Sequence, residues 1–489
     1  MRKMLLLLLA LTLVLLCSAA SASSFKESSE ITVTPAPVII DLTPAEQPAV
    51  QYVPAAPVAA APVETAKPTP NGVIPACLRF TQTWEKKQLN QSFNLYRFTV
   101  KTANAAVTEE INGLINEVET IARNHMPSGR FDGDARVIAG ATIRRTGDRW
   151  MSFEVSGEVS YSRKQMYSAF TTRVYDMMTG RRIYLTDVFP QNSSVWSSIS
   201  GAVRTQITNY FTGEMPNGYA LEQACSIPML QQADFMMCPG KLLLLFNAAD
   251  FYPGHAQTLV VTLYYPWVRD YMTVEAQQQT DNSNYKLIAL TFDDGLAIDS
   301  MAVVNNLRRF GADATFFVVG YTIKGLQYVA AYEHDTLNTI ASHNYEHETQ
   351  GSKVNTNTVA DWKQKFNSAL DTAIGIRPTM MRAPGGGEVT FCKAGIDLPV
   401  IHWSLSSNDP GTTDASRVAS TVIGQASHGD VVLMHDRETL CKQYTTTICK
   451  ALEEKNFLCV SVDELFSMMG VALQPNHAYT GVQQIYPVQ

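Results

Sequence analysis

The sequence predicts a multidomain protein in which an α+β N-terminal domain is followed by an α/β domain, a parallel sheet or (β/α) barrel. One observation is a period of two: Phe153, Val155, Val159 and Tyr161 alternate with Ser152, Glu154, Ser156, Glu158 and Ser160, the pattern of a half-buried strand. A second is a change after about Tyr285 to apolar strands separated by helices, which argues for βα units around a parallel sheet or barrel. A third is that carboxylate, imidazole and guanidinium side chains fall at the C-terminal ends of those strands, the one face on which loops from many parallel strands converge.

A chain of 489 residues has room for two or three domains, and its 46% hydrophobic and 17% charged residues exclude both disorder throughout and a membrane transporter. A net charge of -7 lacks the basic footprint of nucleic-acid binding, so nucleic acid is not an expected partner. Arg2 and Lys3, the apolar run Met4–Leu16 and the small residues Ala20-Ser21-Ala22 read as a signal peptide over 1–22, cleaved after Ala22. Lipidation at Cys17 is the minor alternative, because Leu16 before it is large. No later stretch is long and apolar enough to span a bilayer, so the mature chain is expected outside the cytoplasm, secreted or associated with the cell envelope. Residues 23–73, rich in Pro and Ala, read as an extended linker.

Within 74–280, Ile111, Leu114, Ile115, Val118, Ile121 and Ala122 recur at three- and four-residue steps and predict a helix. Further strands are expected at Thr171–Asp176, Leu242–Phe246 and Leu259–Tyr265, with a turn at Thr179-Gly180 leading into Ile183–Leu185. The block 281–470 carries candidate strands at Lys286–Phe292, Ala314–Gly320, Thr339–Ser342, Thr379–Arg382, Val400–Trp403, Val431–His435 and Phe457–Val462. Val359, Trp362, Phe366, Leu370 and Ile374 mark a helix between them, and 471–489 reads as a C-terminal tail. Seven cysteines remain beyond Cys17; the short loops Cys225–Cys238 and Cys441–Cys449 are the preferred disulfides, leaving Cys77, Cys392 and Cys459 over.

The chemistry is concentrated in the second block. Asp293 and Asp294 follow LIALTF, His343 and His347 follow NTIAS, Arg382 follows TMM, Asp409 follows VIHWSL and His435 closes VVLM. Two histidines four residues apart would be aimed at one point by a single helical turn, and a carboxylate would complete a three-ligand site for zinc or a similar divalent ion. Asp293 and Asp294 point different ways from an extended strand end, which lets one bind metal while the other serves as a base; spacing alone does not say which. Each feature has a structural explanation when taken singly, but their shared position at strand ends does not.

The order TFDDG, SHNYEH, RAPGG, WSLSSNDP and LMHD, with ATFFVVG after the first, is similar to the motifs of the family 4 carbohydrate esterases, the NodB-type polysaccharide deacetylases. The resemblance covers about Lys286 to Phe466 and implies a barrel of the NodB type. By position it makes Asp294, His343 and His347 the ligands of a divalent metal: zinc, with cobalt or manganese as alternatives. It makes Asp293 the general base held by Arg382, and His435 the general acid oriented by Asp409. Leu433 would wall the pocket, and the backbone N–H of Gly385 would stabilise an oxyanion.

The sequence departs from the family pattern at Leu296, Gly385, Ser406 and Pro410, none of which is a proposed ligand, base or acid. The segment VYDMMTGRRIYLTDVF resembles a domain that accompanies some bacterial cell-wall deacetylases and occurs in a lysozyme-sensing anti-sigma factor. The function so implied is N-deacetylation of a carbohydrate polymer, with peptidoglycan (N-acetylmuramic acid or N-acetylglucosamine residues) as the expected partner. Chitin and acetylated xylan are variants of it. A different class of reading is a secreted binding protein that captures glycan or lysozyme and has lost turnover.

Overall fold

A computed structural model of the chain describes residues 72–131, 135–348 and 353–487. The expected signal peptide, Cys17 and the linker up to residue 71 lie outside the described residues. No helix among the described residues is long and apolar enough to cross a membrane.

The first block is built on a six-stranded sheet in chain order: β1 (Phe80–Gln88), β2 (Asn94–Thr102), β3 (Arg136–Thr146), β4 (Trp150–Tyr161), β5 (Lys164–Asp176) and β6 (Arg181–Ile183). Neighbours are antiparallel except β2 and β3, whose parallel pairing requires the crossover helix α1 (Ala105–Asn124). The Asn104 side chain accepts from the Val107 N–H and caps α1, and the apolar period buries Val107, Ile111, Ile115, Val118 and Ala122. β7 (Phe235–Met237), β8 (Lys241–Asn247) and β9 (Thr258–Tyr264) form a second, antiparallel sheet. The strand expected at Ile183–Leu185 ends at Ile183, because the Asp187 carboxylate accepts from the Tyr184 N–H and starts a helical turn at Leu185–Val188.

The strand read as half-buried is buried on both faces of β4. Its acidic residues do not meet solvent; the helices of the second block cover them. Glu154 and Glu158 lie beside the guanidinium of Arg308, and burial pushes both carboxyls up to about 7 against the pull of that cation. Arg308 is itself buried, stacked 4.3 Å from the Phe98 ring centroid and donating to the Tyr332 hydroxyl at 2.8 Å.

The second block alternates strand and helix. β10 (Lys286–Asp293), α2 (Ser300–Phe310), β11 (Thr315–Val318), α3 (Gln327–Asp335), β12 (Thr339–Ser342) and α4 (Thr356–Ile374) come first. β13 (Val400–His402), β14 (Leu405–Ser406), α5 (Ala415–Gln425), β15 (Asp430–His435), α6 (Cys441–Glu454), β16 (Phe457–Val460) and α7 (Val462–Met468) follow. The strands run parallel in the order β12-β11-β10-β15-β14, with β16 beside the first half of β10. The strand expected at Thr379–Arg382 is reduced to a single bridging residue, Met381, which joins β12 to β13. Residues after 470, read as a tail, form β17 (Ala478–Thr480) and β18 (Gln483–Tyr486), and β17 extends β13.

Two large apolar clusters cross the boundary at residue 280: one joins Phe98 and Ile138 to β10, α2 and α6, the other joins α1 and β4 to Leu287, Val431 and Phe466. Gly311 makes part of this contact possible. It ends α2 at φ 61°, where a side chain is strained, and a Cβ there would press within 3.1 Å of the Ile143 carbonyl oxygen.

All seven cysteines among the described residues are free, and their placement contradicts the two preferred disulfides. Cys441 and Cys449 sit on one helix eight residues apart, about 12 Å at 1.5 Å per residue, too far for one bond. Cys225 and Cys238 belong to different apolar clusters.

Arg308 generates a stability prediction. Arg308→Ala leaves two buried glutamates without their cation and should cost about 3–5 kcal/mol, read as a lower urea midpoint. A shift within about 0.5 kcal/mol would show that the junction does not need it.

Candidate metal centre and active site

The parallel register sets Asp293 of β10 directly opposite His435 of β15. Asp293 ends its strand, and Asp294 takes φ 72°, a left-handed conformation that breaks the alternation and turns its side chain out of the strand's pattern. The two carboxylates therefore find different partners. Asp293 Oδ1 accepts from Arg382 Nη1 at 2.7 Å, in a pair that is almost wholly buried. Arg382 is held by further contacts: Nε donates to the Ile401 carbonyl at 3.0 Å, Nη1 to Thr291 Oγ1 at 2.7 Å, and its guanidinium lies 4.1 Å from the Phe317 ring centroid.

Asp294 Oδ1 faces the imidazoles, 3.4 Å from Nε2 of His343 and 2.9 Å from Nε2 of His347. The expected helical turn between these histidines is absent; they occupy a loop after β12. Left-handed Asn344 (φ 64°) and His347 (φ 53°) bend that loop and bring the second imidazole back to the first. His343 Nδ1 lies 3.0 Å from the Arg382 carbonyl, which can only accept; Nδ1 carries the hydrogen and Nε2 keeps its lone pair toward Asp294.

The donor set fits a divalent cation. One atom from each of Asp294, His343 and His347 lies within 4.8 Å of the others, the one such cluster among the described residues. Asp294 Oδ1 is buried with no aligned hydrogen-bond donor, a costly state for a carboxylate unless a cation meets it. The other Asp294 oxygen, Oδ2, pairs with the exposed Arg437 at 2.9 Å, so the carboxylate offers a single oxygen to the cluster. Asp293 Oδ2 stands 3.8 Å from His343 Nε2, beside the cluster without belonging to it.

The glycine of TFDDG is required by close approach. A Cβ on Gly295 would collide with the carboxylate of Asp436, which is buried, bonded by the Ser300 hydroxyl and pushed up to about 7 by its burial.

On the opposite wall, His435 Nδ1 pairs with Asp409 Oδ1 at 2.9 Å, and the His435 backbone N–H donates to Asp409 Oδ2 at 2.8 Å. Tyr444 and Ser407 complete the coordination of this carboxylate, donating at 2.6 and 2.8 Å. Burial opposes ionisation of Asp409, but His435 and these donors hold its pKa down. Burial likewise lowers that of His435, yet the bond to Asp409 and the charges of Asp293 and Asp294 raise it above the ordinary imidazole value. The imidazolium form is thereby favoured over that of a free imidazole, with Nε2 free of the Asp409 bond, the arrangement that a general acid requires.

Asp293, Asp294, His343, Asp409 and His435 thus lie at or just after C-terminal strand ends, His347 in the loop after β12, and Arg382 directly after the Met381 bridge. Leu433 shares a face of β15 with His435 and is buried. Gly385 occupies an exposed turn three residues after Arg382, at φ 67°. Sequence reasoning missed Ser407, Asp436, Arg437 and Tyr444. The first three adjoin motifs and carried a positional signal; Tyr444 carried none beyond its place in the apolar period of α6.

Two consequences are measurable. Asp294→Ala or His343→Ala should abolish calorimetric binding of zinc or cobalt while leaving the circular dichroism spectrum intact; tight binding by either variant would remove these residues as ligands. Asp409→Asn removes the carboxylate that raises His435, so the NMR titration of that imidazole should move to lower pH. An unmoved titration would show that Asp409 does not control it.

Residues 280–392 match the family model described as polysaccharide deacetylase. A bifunctional xylanase/deacetylase of Pseudobutyrivibrio xylanivorans is 30% identical over 41% of this chain and 33% of its own length. A peptidoglycan-N-acetylglucosamine deacetylase of Listeria monocytogenes is 33% identical over 37% of this chain and 39% of its own. A peptidoglycan-N-acetylmuramic acid deacetylase of Bacillus subtilis is 24% identical over 39% and 40% of the two chains. The chain therefore spans less than half the length of these relatives. With the motif residues in the geometry just described, residues 280–392 belong to a polysaccharide deacetylase domain.

Proposed function

We propose that the protein is a metal-dependent hydrolase that removes N-acetyl groups from cell-wall glycan, peptidoglycan foremost, outside the cytoplasm. The observation that carries this reading is the convergence of Asp294, His343 and His347 on one point, flanked by Asp293 and His435 on adjacent strands. Zinc suits the mixed imidazole and carboxylate set, and cobalt or manganese would be accepted by the same donors.

A divalent ion held by Asp294, His343 and His347 would supply Lewis acidity, polarising the acetamide carbonyl and making water a better nucleophile. Asp293, anchored through Oδ1 to Arg382, presents Oδ2 as the acceptor of the proton that the attacking water loses. The Gly385 N–H is the donor for the oxygen that becomes negative. His435 delivers its proton to the departing sugar nitrogen, and Asp409 stabilises the imidazolium until it does so. Acetate and a free amino sugar leave.

The peptidoglycan reading is supported by the named substrates of the Listeria and Bacillus relatives and by the signal peptide and first-block resemblance expected from the sequence. Acetylated xylan is the second reading, favoured by the Pseudobutyrivibrio relative.

Metal-loaded protein should release acetate from N-acetylated peptidoglycan fragments and lose that activity to a chelator. Asp293→Asn should lower kcat by at least about 100-fold, the scale of a general-base contribution, while metal and oligosaccharide affinities stay within a few fold. Acetate release from acetylxylan alone would transfer the assignment to the second reading. Unaltered glycan binding with no acetate from any polymer would make the protein a binding module.

A further inference from the structure

Outside the active site, two cysteines that the expected bridges did not join to each other meet between α6 and β16. Cys449 lies on α6 and Cys459 on β16, joined by a reversal at Lys455-Asn456. Counting from that reversal, Cys449 is five residues back along the helix, about 7.5 Å at 1.5 Å per residue. Cys459 is two residues into the strand, about 6.6 Å at 3.3 Å per residue, so the two stand level.

They also share a face. Alternation along β16 sends Leu458 and Val460 into the apolar cluster beneath the sheet, whereas Phe457 and Cys459 pack with Ile448, Cys449 and Leu452 of α6. Both cysteines line one small cleft with Phe310, Gly311 and Ala312. Cys449 is almost fully buried and Cys459 half-buried.

We propose that Cys449 and Cys459 form a disulfide once the chain reaches an oxidising compartment, an inference that rests on export and not on the deacetylase reaction. The more accessible Cys459 thiol loses its proton and attacks an external disulfide, whose S–S bond breaks to release one thiol. Cys449 then loses its proton and attacks the Cys459 sulfur, displacing the second thiol. Two protein thiols are oxidised, and one external disulfide is reduced to two thiols. The closeness of the pair is consistent with the state of Cys449, whose thiol is held well above its ordinary pKa by its bond to Cys459 and by burial.

The bond would pin the C-terminal half of α6 to β16, and through it to β10. The same helix carries Tyr444, which holds Asp409, so the staple would stand behind the acid wall of the active site.

The test uses the full mature chain, incubated with oxidised or reduced glutathione, alkylated, digested and mapped by mass spectrometry. Oxidised protein should give a single cross-linked species joining the Cys449 and Cys459 peptides, two hydrogens lighter than the separate thiols. Cys77, Cys225, Cys238, Cys392 and Cys441 should all be alkylated. Cys459→Ser, at a half-buried position that tolerates a polar atom, should abolish the cross-link and leave Cys449 alkylated after denaturation. Alkylation of both cysteines in the oxidised sample, or either one joined to a different cysteine, would overturn the proposal. Acetate release is scored separately: its failure bears on the deacetylase reading and leaves the bridge intact.

Discussion

Two carboxylates on consecutive residues, both buried, repel each other and resist ionisation unless each has its own counter-charge. The site is organised around that constraint. Left-handed Asp294 sends the two side chains apart, giving Asp293 the guanidinium of Arg382 and Asp294 that of Arg437 on its far oxygen, with the two histidine nitrogens beside the near one. Arg382 serves both halves, because its side chain binds Asp293 while its carbonyl fixes the tautomer of His343. Base and metal ligands are thus set by one residue on the bridge between β12 and β13. What remains uncompensated is Asp294 Oδ1, and that is where a cation would find its carboxylate ligand.

The acid wall answers the same problem in the opposite sense. Asp409 is buried, but four donors surround it: the His435 ring, the His435 backbone, Tyr444 and Ser407. A carboxylate so bound is held in its charged form and in turn favours the protonated imidazole of His435. The linkage has a definite sign. A raised His435 pKa contributes stability in full below the unfolded value of about 6.5 and loses it as pH rises through the folded value; the lowered Asp409 pKa contributes above about 3.9 and fails as pH falls through its folded value. The pair is therefore most stabilising between those limits, where both partners are charged.

The barrel strands and the site were legible in the sequence because both depend on local pattern. LIALTF and VVLM are continuous apolar runs, as strands covered on both faces must be, and reactive residues directly after such runs have few places to go. What failed was long-range. The alternation in β4 correctly marked a strand, but nothing local showed that its glutamate face would be covered by α2 and α3. The histidine spacing correctly paired His343 with His347, yet suggested a helix, because φ values of 64° and 53° at Asn344 and His347 cannot be read from residue types that also tolerate helix. Spacing of cysteines misled for a related reason. Cys441 and Cys449 are near in sequence but held apart by a rigid helix, whereas Cys449 and Cys459 are brought together by a chain reversal.

The first block is tied to the active site through α2. Near its C-terminal end Arg308 lies over the Phe98 ring of β2, within the electrostatic reach of Glu154 and Glu158 of β4; at its N-terminal end Ser300 bonds Asp436, against which Gly295 of the DDG loop is packed. A helix of 11 residues is a stiff spacer between these ends. Displacement of the six-stranded sheet would move Arg308, tilt α2 and disturb the surface on which Gly295 rests, one residue from Asp294. The first block and the loop that carries Asp294 thus pack against opposite ends of one helix.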